Sequence, residues 1–338
     1  MPCKVLRILL FPTLLLFFAA CSNSKDKVII EGEIQGVNEA EMYVYCDDPE
    51  QFYGVDTIKM KNGEFTYERQ IDATMVLTLL YPNFSSTLIV AAPGEKIKMK
   101  GNAAKLGEAE ISGSEDNQLL TDFRQANAAK RNSDALMAAE SFVRSHPTTL
   151  AAYAVYKRYF ALAQSPEPTT ALSLIELLRK SQPRNAAISG MAERISPILK
   201  ASRGQQLPDF TARTLSGGTL SAASLKGKPT FILFWASWSN DGFDATRRLH
   251  RICRAYGSRL NAVVVSLDVN PKMASQRTKA DSLSCPVVCD GRAFNSPLAK
   301  TLGVKYVPGN LLVDANGRII DRDIPLDMIE SRLSQVVK

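Results

Sequence analysis

The sequence predicts an α/β chain in three parts: a small antiparallel β-domain, a helical connector, and a C-terminal domain with a central mixed sheet flanked by helices. Three observations carry this. Short β-branched and aromatic runs separated by turn residues fill 28–112, Pro-punctuated helical periodicity fills 113–203, and strand and helix patterns alternate over 204–338. The chain has 338 residues, about twice the usual single-domain length, so several folding units are expected.

In the first part, Val28-Ile29-Ile30 and Glu41 to Cys46 read as strands on either side of a polar turn at Gly36-Val37-Asn38. Asn62-Gly63 separates Asp56–Met60 from Phe65–Tyr67, a hairpin signal because both turn positions take positive φ. Leu77–Tyr81, Thr87–Val90 and Lys96–Met99 complete the set, the last introduced by Pro93-Gly94-Glu95. The second part is rich in Ala, Leu, Lys and Arg. Leu136, Ala139, Phe142 and Val143, and later Leu174, Leu177 and Leu178, recur at helical spacing, while Pro147, Pro166, Pro168 and Pro183 divide the stretch into several helices. Such a unit packs as a spacer against its neighbours.

The third part opens on a different pattern. Thr230 to Trp235 is an apolar run suited to a central strand covered on both faces, and Ala262 to Leu267 is a second. Helices are expected over Asp241–Tyr256, Met273–Leu283 and Leu326–Val337, and a hairpin around Asn316-Gly317 joins Asn310–Asp314 to Gly317–Ile320.

The N-terminus predicts export. Lys4 and Arg7 precede an apolar run, Ile8–Phe18, too short to cross a ~30 Å hydrocarbon core, so residues 1–20 read as a signal peptide. Ala19-Ala20-Cys21 resembles the lipobox of bacterial lipoproteins, with Phe18 in place of the usual Leu. That resemblance implies a lipid on Cys21, a polar tether over 21–27, and a location in the bacterial cell envelope, held at a membrane and facing the periplasm. Cleavage near this point as an ordinary secreted protein is the alternative. The formal charge of +7 falls to +5 once Lys4 and Arg7 are removed. The basic residues are scattered, which argues against nucleic acid as a partner. Only His146 and His250 are present, far apart and without metal-ligand spacing, so no metal and no cofactor are expected.

Several ordered motifs now converge. Pro208-Asp209-Phe210, Leu225-Lys226-Gly227-Lys228-Pro229, Phe234-Trp235-Ala236-Ser237-Trp238, and Val307-Pro308 before Leu311–Gly317 together resemble the membrane-tethered thioredoxin-like (TlpA-like) thiol-disulfide oxidoreductases, over about residues 204–338. The preceding β-region resembles the N-terminal domain of unknown function often joined to such domains in bacterial lipoproteins. The resemblance implies a thioredoxin-like fold. It also implies a Cys-x-x-Cys after the second Trp, whose first thiol, at a helix N-terminus, attacks a disulfide that the second then resolves. This chain reads Trp238-Ser239-Asn240-Asp241-Gly242 there, so Ser239 and Gly242 stand where the two thiols are expected. A protonated alcohol and a bare hydrogen exchange no disulfides. A degenerate active site follows.

Other thiols and a histidine are candidate replacements. Cys253 lies 14 residues beyond Ser239 on the same helix, about 21 Å away at ~1.5 Å per residue. Cys285 and Cys289 flank an extended Pro286-Val287-Val288, which separates their Cα atoms by about 13 Å, beyond the reach of a mutual disulfide. They read as separate structural thiols or, alternatively, as thiols carrying an oxidoreductase activity in place of the corner pair. Peroxidase chemistry lacks its helix-start Cys, and hydrolysis by Ser239 lacks a base, since His250 is 11 residues along the helix, about 16 Å off.

Binding is what remains. By resemblance, Val307-Pro308 is the position where a residue before a cis proline pairs with an extended substrate, and Trp238, Ser239, Val307 and Pro308 form the candidate site. Trp235 and Trp238 can equally serve the core, and Asp241 reads as a charge favoured at a helix start. The leading expectation is an envelope protein that binds a protein or extended peptide without redox catalysis. A structural envelope component docking through the β-domain is a further reading.

Overall fold

The computed structural model describes residues 26–48, 53–163 and 166–337. The expected signal peptide, the expected lipidation at Cys21 and most of the expected tether lie outside them. The chain divides into two compact units, at Gln125/Ala126.

The first unit is an eight-stranded sheet. Its strands are β1 (Lys27–Gln35), β2 (Glu39–Tyr45), β3 (Asp56–Lys61), β4 (Glu64–Gln70), β5 (Met75–Leu80), β6 (Ser86–Ala91), β7 (Lys96–Asn102) and β8 (Glu110–Ser112), in the order β6-β5-β2-β3-β4-β1-β7-β8. Strand β3 buries Ile58 and Met60 while its other residues stay at the surface, and β4 likewise buries Phe65 and Tyr67; this is the period of two expected of half-buried strands. The expected hairpin forms at Asn62-Gly63, both with positive φ, and the Gly63 amide donates to the Asn38 carbonyl. One pairing departs from antiparallel: β1 runs parallel to β7.

Helix α1 (Glu115–Asn127) begins the stretch expected to be connector, yet it belongs mainly to the first unit. Buried Asn117 completes strand β6, accepting from the Val90 amide at 2.9 Å and donating to its carbonyl at 2.7 Å. Thr121 does the same for Ile111 of β8. Two polar side chains thus extend the sheet's hydrogen bonding into the helix, a long-range pairing that helical spacing alone does not reveal.

In the second unit, α2 (Asn132–Ser145), α3 (Leu150–Tyr156), α4 (Pro168–Ser181) and α5 (Ala186–Lys200) form the helical part. Thr149 and Asn185 cap α3 and α5 through their side-chain oxygens, and Pro168 opens α4, where its missing amide costs nothing. A two-stranded hairpin, β9 (Thr211–Arg213) with β10 (Thr219–Ser221), leads into the main sheet. That sheet comprises β11 (Thr230–Trp235), β12 (Asn261–Ser266), β13 (Val287–Val288), β14 (Gly309–Val313) and β15 (Ile319–Arg322), ordered β13-β12-β11-β14-β15. Strands β11, β12 and β13 are parallel, whereas β14 and β15 are antiparallel additions.

Every residue of β11 is buried because both faces are covered. Ile232 and Phe234 face one core with Val263, Val265 and Leu311; Phe231, Leu233 and Trp235 face another with Leu249, Ile252 and Leu333. Helices α6 (Gly242–Tyr256), α7 (Pro271–Ala280), α8 (Pro297–Thr301) and α9 (Ile329–Val336) surround the sheet. The mixed sheet flanked by helices is the expected architecture. None of the described helices is long and apolar enough to cross a membrane.

Candidate functional site

The candidate site lies where β11 leaves the sheet and turns into α6, since the carboxyl ends of parallel strands form the natural crevice of an open α/β sheet. Trp235 ends the strand fully buried and donates its indole N–H to the Gly242 carbonyl at 3.0 Å. Trp238, three residues on, is 58% exposed. The two tryptophans therefore divide between core and lip.

Between them, Ser237 is fixed from below. Its amide and its hydroxyl both donate to one Asp268 carboxylate oxygen, at 3.0 and 2.7 Å, and Ser266 donates to the other oxygen at 2.8 Å. Asp268 is 3% exposed, so three donors compensate a carboxylate removed from water. It follows the apolar strand β12 and lies 31 positions from Ser237, a separation that hid this pairing from sequence reasoning.

Ser239 is buried, and its hydroxyl donates to the Val307 carbonyl at 3.3 Å. The Val307-Pro308 peptide bond is cis. Ser239, Val307 and Pro308 are thus brought together as expected, with Trp238 beside them. Helix α6 starts at Gly242 rather than Asp241, and the Asp241 side chain makes no cap bond. At Gly242 a Cβ would sit 2.7 Å from Trp235 Nε1 and 2.9 Å from the Ala236 carbonyl oxygen. The indole occupies the room a side chain would need.

Around this corner several apolar side chains remain in solvent. Phe243, in the first turn of α6, is 41% exposed and lies under the Arg277 guanidinium, 3.9 Å from its ring centroid. Tyr306, beside the Val307 carbonyl, is 52% exposed; burial and the neighbouring Asp323 hold its hydroxyl above the ordinary range. Val269 and Met273, following Asp268, are exposed too. Only Trp238 of this set was legible beforehand.

The remaining candidates go elsewhere. His250 directs Nδ1 to the Ser282 carbonyl at 3.0 Å, so it serves that contact and not Ser239. Cys289 is buried and donates from Sγ to the Asp268 carbonyl at 3.3 Å; burial raises its thiol above the ordinary range, which keeps it protonated. Cys285 meets Cys253 rather than Cys289. Both remain free thiols, as does Cys289. No cluster of three or more metal-ligating side chains occurs among the described residues.

A parallel β11-β12-β13 core with antiparallel β14 and β15, a helix leaving β11, and a cis X-Pro facing that helix's start define a thioredoxin-fold domain. Comparison with known proteins agrees. The AhpC/TSA family model matches residues 203–322, and a domain of unknown function (DUF4369) matches 28–120. The thioredoxin-like protein YneN of Bacillus subtilis is 31% identical over 121 residues, covering 35% of this chain and 69% of that protein. The thiol-disulfide oxidoreductase ResA of Bacillus thuringiensis subsp. konkukian is 23% identical over 140 residues, covering 41% and 79%. Among solved structures, the C-terminal domain of a putative thiol-disulfide oxidoreductase from Bacteroides thetaiotaomicron is 26% identical, with a TM-score of 0.39 over 41% of this chain and 97% of that one. The chain belongs to the thioredoxin-like thiol-disulfide oxidoreductase family, with an N-terminal DUF4369 domain.

Proposed function

We propose that this protein is a lipid-anchored envelope component whose thioredoxin-like corner binds an extended segment of another protein without exchanging disulfides. One observation supports the reading: Ser239 and Gly242, which the motif resemblance sets at the two positions where this family holds its exchange thiols, are both integrated into the corner. The Ser239 hydroxyl is engaged by Val307, and Gly242 lies against the Trp235 indole. The lip of Trp238, Phe243 and Tyr306 supplies apolar area next to the Val307-Pro308 corner. Desolvating aromatic side chains of this size is a common source of peptide affinity.

A trapping experiment tests this. Ser239→Cys places a thiol without a resolving partner at the corner, so a bound segment carrying a nearby cysteine accumulates as a mixed disulfide. The expected result is such an adduct, lost on Val307→Asp, while protein carrying Cys253→Ser leaves insulin disulfides intact in the presence of dithiothreitol. Catalytic insulin reduction by the Cys253→Ser protein would refute the reading in favour of exchange through Cys285 or Cys289, provided adding Cys285→Ser or Cys289→Ser abolishes it. Anchoring is tested separately: labelled palmitate should enter the native chain and not Cys21→Ser. Loss of the partner only on deletion of residues 27–112 would instead favour docking through the β-domain.

A further inference from the structure

A second thiol arrangement lies along α6. Three of its residues, Thr246, His250 and Cys253, fall at i, i+4 and i+7 on one face. Thr246 donates to Asp281 Oδ2 at 2.6 Å, and His250 contacts the Ser282 carbonyl at 3.0 Å. The next position on the stripe, Cys253, meets Cys285. The helix and the segment 281–285 therefore run side by side, pinned at two points before the thiols come together. Both thiols are half-buried against the same apolar cluster as Tyr256 and Leu283, and both are free.

We propose that Cys253 and Cys285 form a reversible disulfide, a redox site on the α6 flank that exchanges with a disulfide of a partner molecule and fastens α6 to the segment leading into β13. The contact favours a division of roles. The Cys285 thiol supports a Cys253 thiolate by hydrogen bonding and holds it below the ordinary range, whereas the same contact and burial push Cys285 up. The Cys253 thiolate attacks one sulfur of the partner disulfide, forming a Cys253–partner S–S bond and releasing the other partner sulfur as a thiolate. Cys285 then gives its proton to solvent and attacks Cys253 Sγ, releasing the second partner sulfur. Two protein thiols are oxidised by two electrons, and one partner disulfide is reduced to two thiols. This site goes beyond the peptide-binding corner and stands or falls independently of it.

The test uses the full chain equilibrated with reduced and oxidised glutathione, quenched with iodoacetamide, digested with trypsin without reduction, and analysed by mass spectrometry. Trypsin releases Cys253 in Ile252–Arg254 and Cys285 with Cys289 in Ala280–Arg292, so a parallel Cys289→Ser sample removes the ambiguity. The expected result is an Ile252–Arg254 to Ala280–Arg292 crosslink that grows with the oxidised fraction, persists in Cys289→Ser and vanishes in Cys253→Ser. Oxidation should also raise the thermal midpoint of native protein by several degrees, because the bond closes a loop in the unfolded chain. Carbamidomethylation of both Cys253 and Cys285 at every glutathione ratio, in protein retaining its native circular dichroism, overturns the proposal. A bond from Cys285 to Cys289 overturns it equally.

Discussion

Gly242→Ala isolates the contact that distinguishes this corner. The added methyl would lie 2.7 Å from Trp235 Nε1 and 2.9 Å from the Ala236 carbonyl oxygen, and neither neighbour is the free end of a flexible chain. The indole is fully buried between β11 and α6, so it must shift, and shifting breaks its 3.0 Å bond to the Gly242 carbonyl. That bond contributes about 1 kcal/mol, and overpacking costs about 1–3 kcal/mol. Alanine's helix propensity returns at most ~1 kcal/mol. The net loss is therefore about 1–4 kcal/mol, or roughly 2–16 °C in the unfolding midpoint for a unit of this size. Thermal unfolding followed by tryptophan fluorescence measures it, and the indole's displacement should also alter the native emission. A variant as stable as the native protein, with unchanged emission, would show that Gly242 is a tolerant position and that the indole does not bar a side chain there. On the same reasoning, Ser239→Cys is tolerated while Ser239→Cys/Gly242→Cys is destabilised.

Three further outcomes are expected. Asp268→Asn exchanges a carboxylate accepting from Ser237 and Ser266 for an amide with one acceptor oxygen, and should cost about 1–3 kcal/mol in urea unfolding; an unchanged midpoint would mean that the buried network does not hold the corner. Asn117→Ala leaves both polar backbone groups of Val90 without their side-chain partner, so hydrogen exchange at Val90 should accelerate more than tenfold, whereas unchanged protection would refute the strand-completing role. For Asp56, burial opposes ionisation, but hydrogen bonds from Tyr67 and Arg69 outweigh it and hold its carboxyl below the usual range. A depressed folded value means that the stabilisation is complete above the unfolded value near pH 4 and disappears as pH falls through the folded one. The acid limb of the native stability profile should thus be steeper than that of Asp56→Asn, and coincident profiles would refute the assignment.

Much of the fold was legible because its signals are local. Asn62-Gly63 needs positive φ at both positions whatever surrounds it, and the six buried residues of β11 announce a strand covered on two faces. The helix start after Trp238 and the absence of thiols at 239 and 242 are likewise properties of adjacent residues. Legibility failed where a side chain joins distant segments. Asn117 and Thr121 look like polar positions on a connector helix, yet each hydrogen-bonds a strand and draws α1 into the first unit. Sequence spacing sets Cys253 against Ser239 and Cys285 against Cys289, while the structure brings Cys253 to Cys285.

The amino-acid order alone determined the β-rich N-terminal domain, the thioredoxin-like C-terminal domain with its family resemblance, and the identity of the atoms at the corner, because strand period, turn chemistry and side-chain composition act within a few residues. Only the tertiary structure decided that Trp235 fills the space over Gly242, that Asp268 anchors Ser237, and that two thiols 32 residues apart share one face. These depend on which elements pack together, and close packing brings into contact residues whose separation along the chain carries no trace of it.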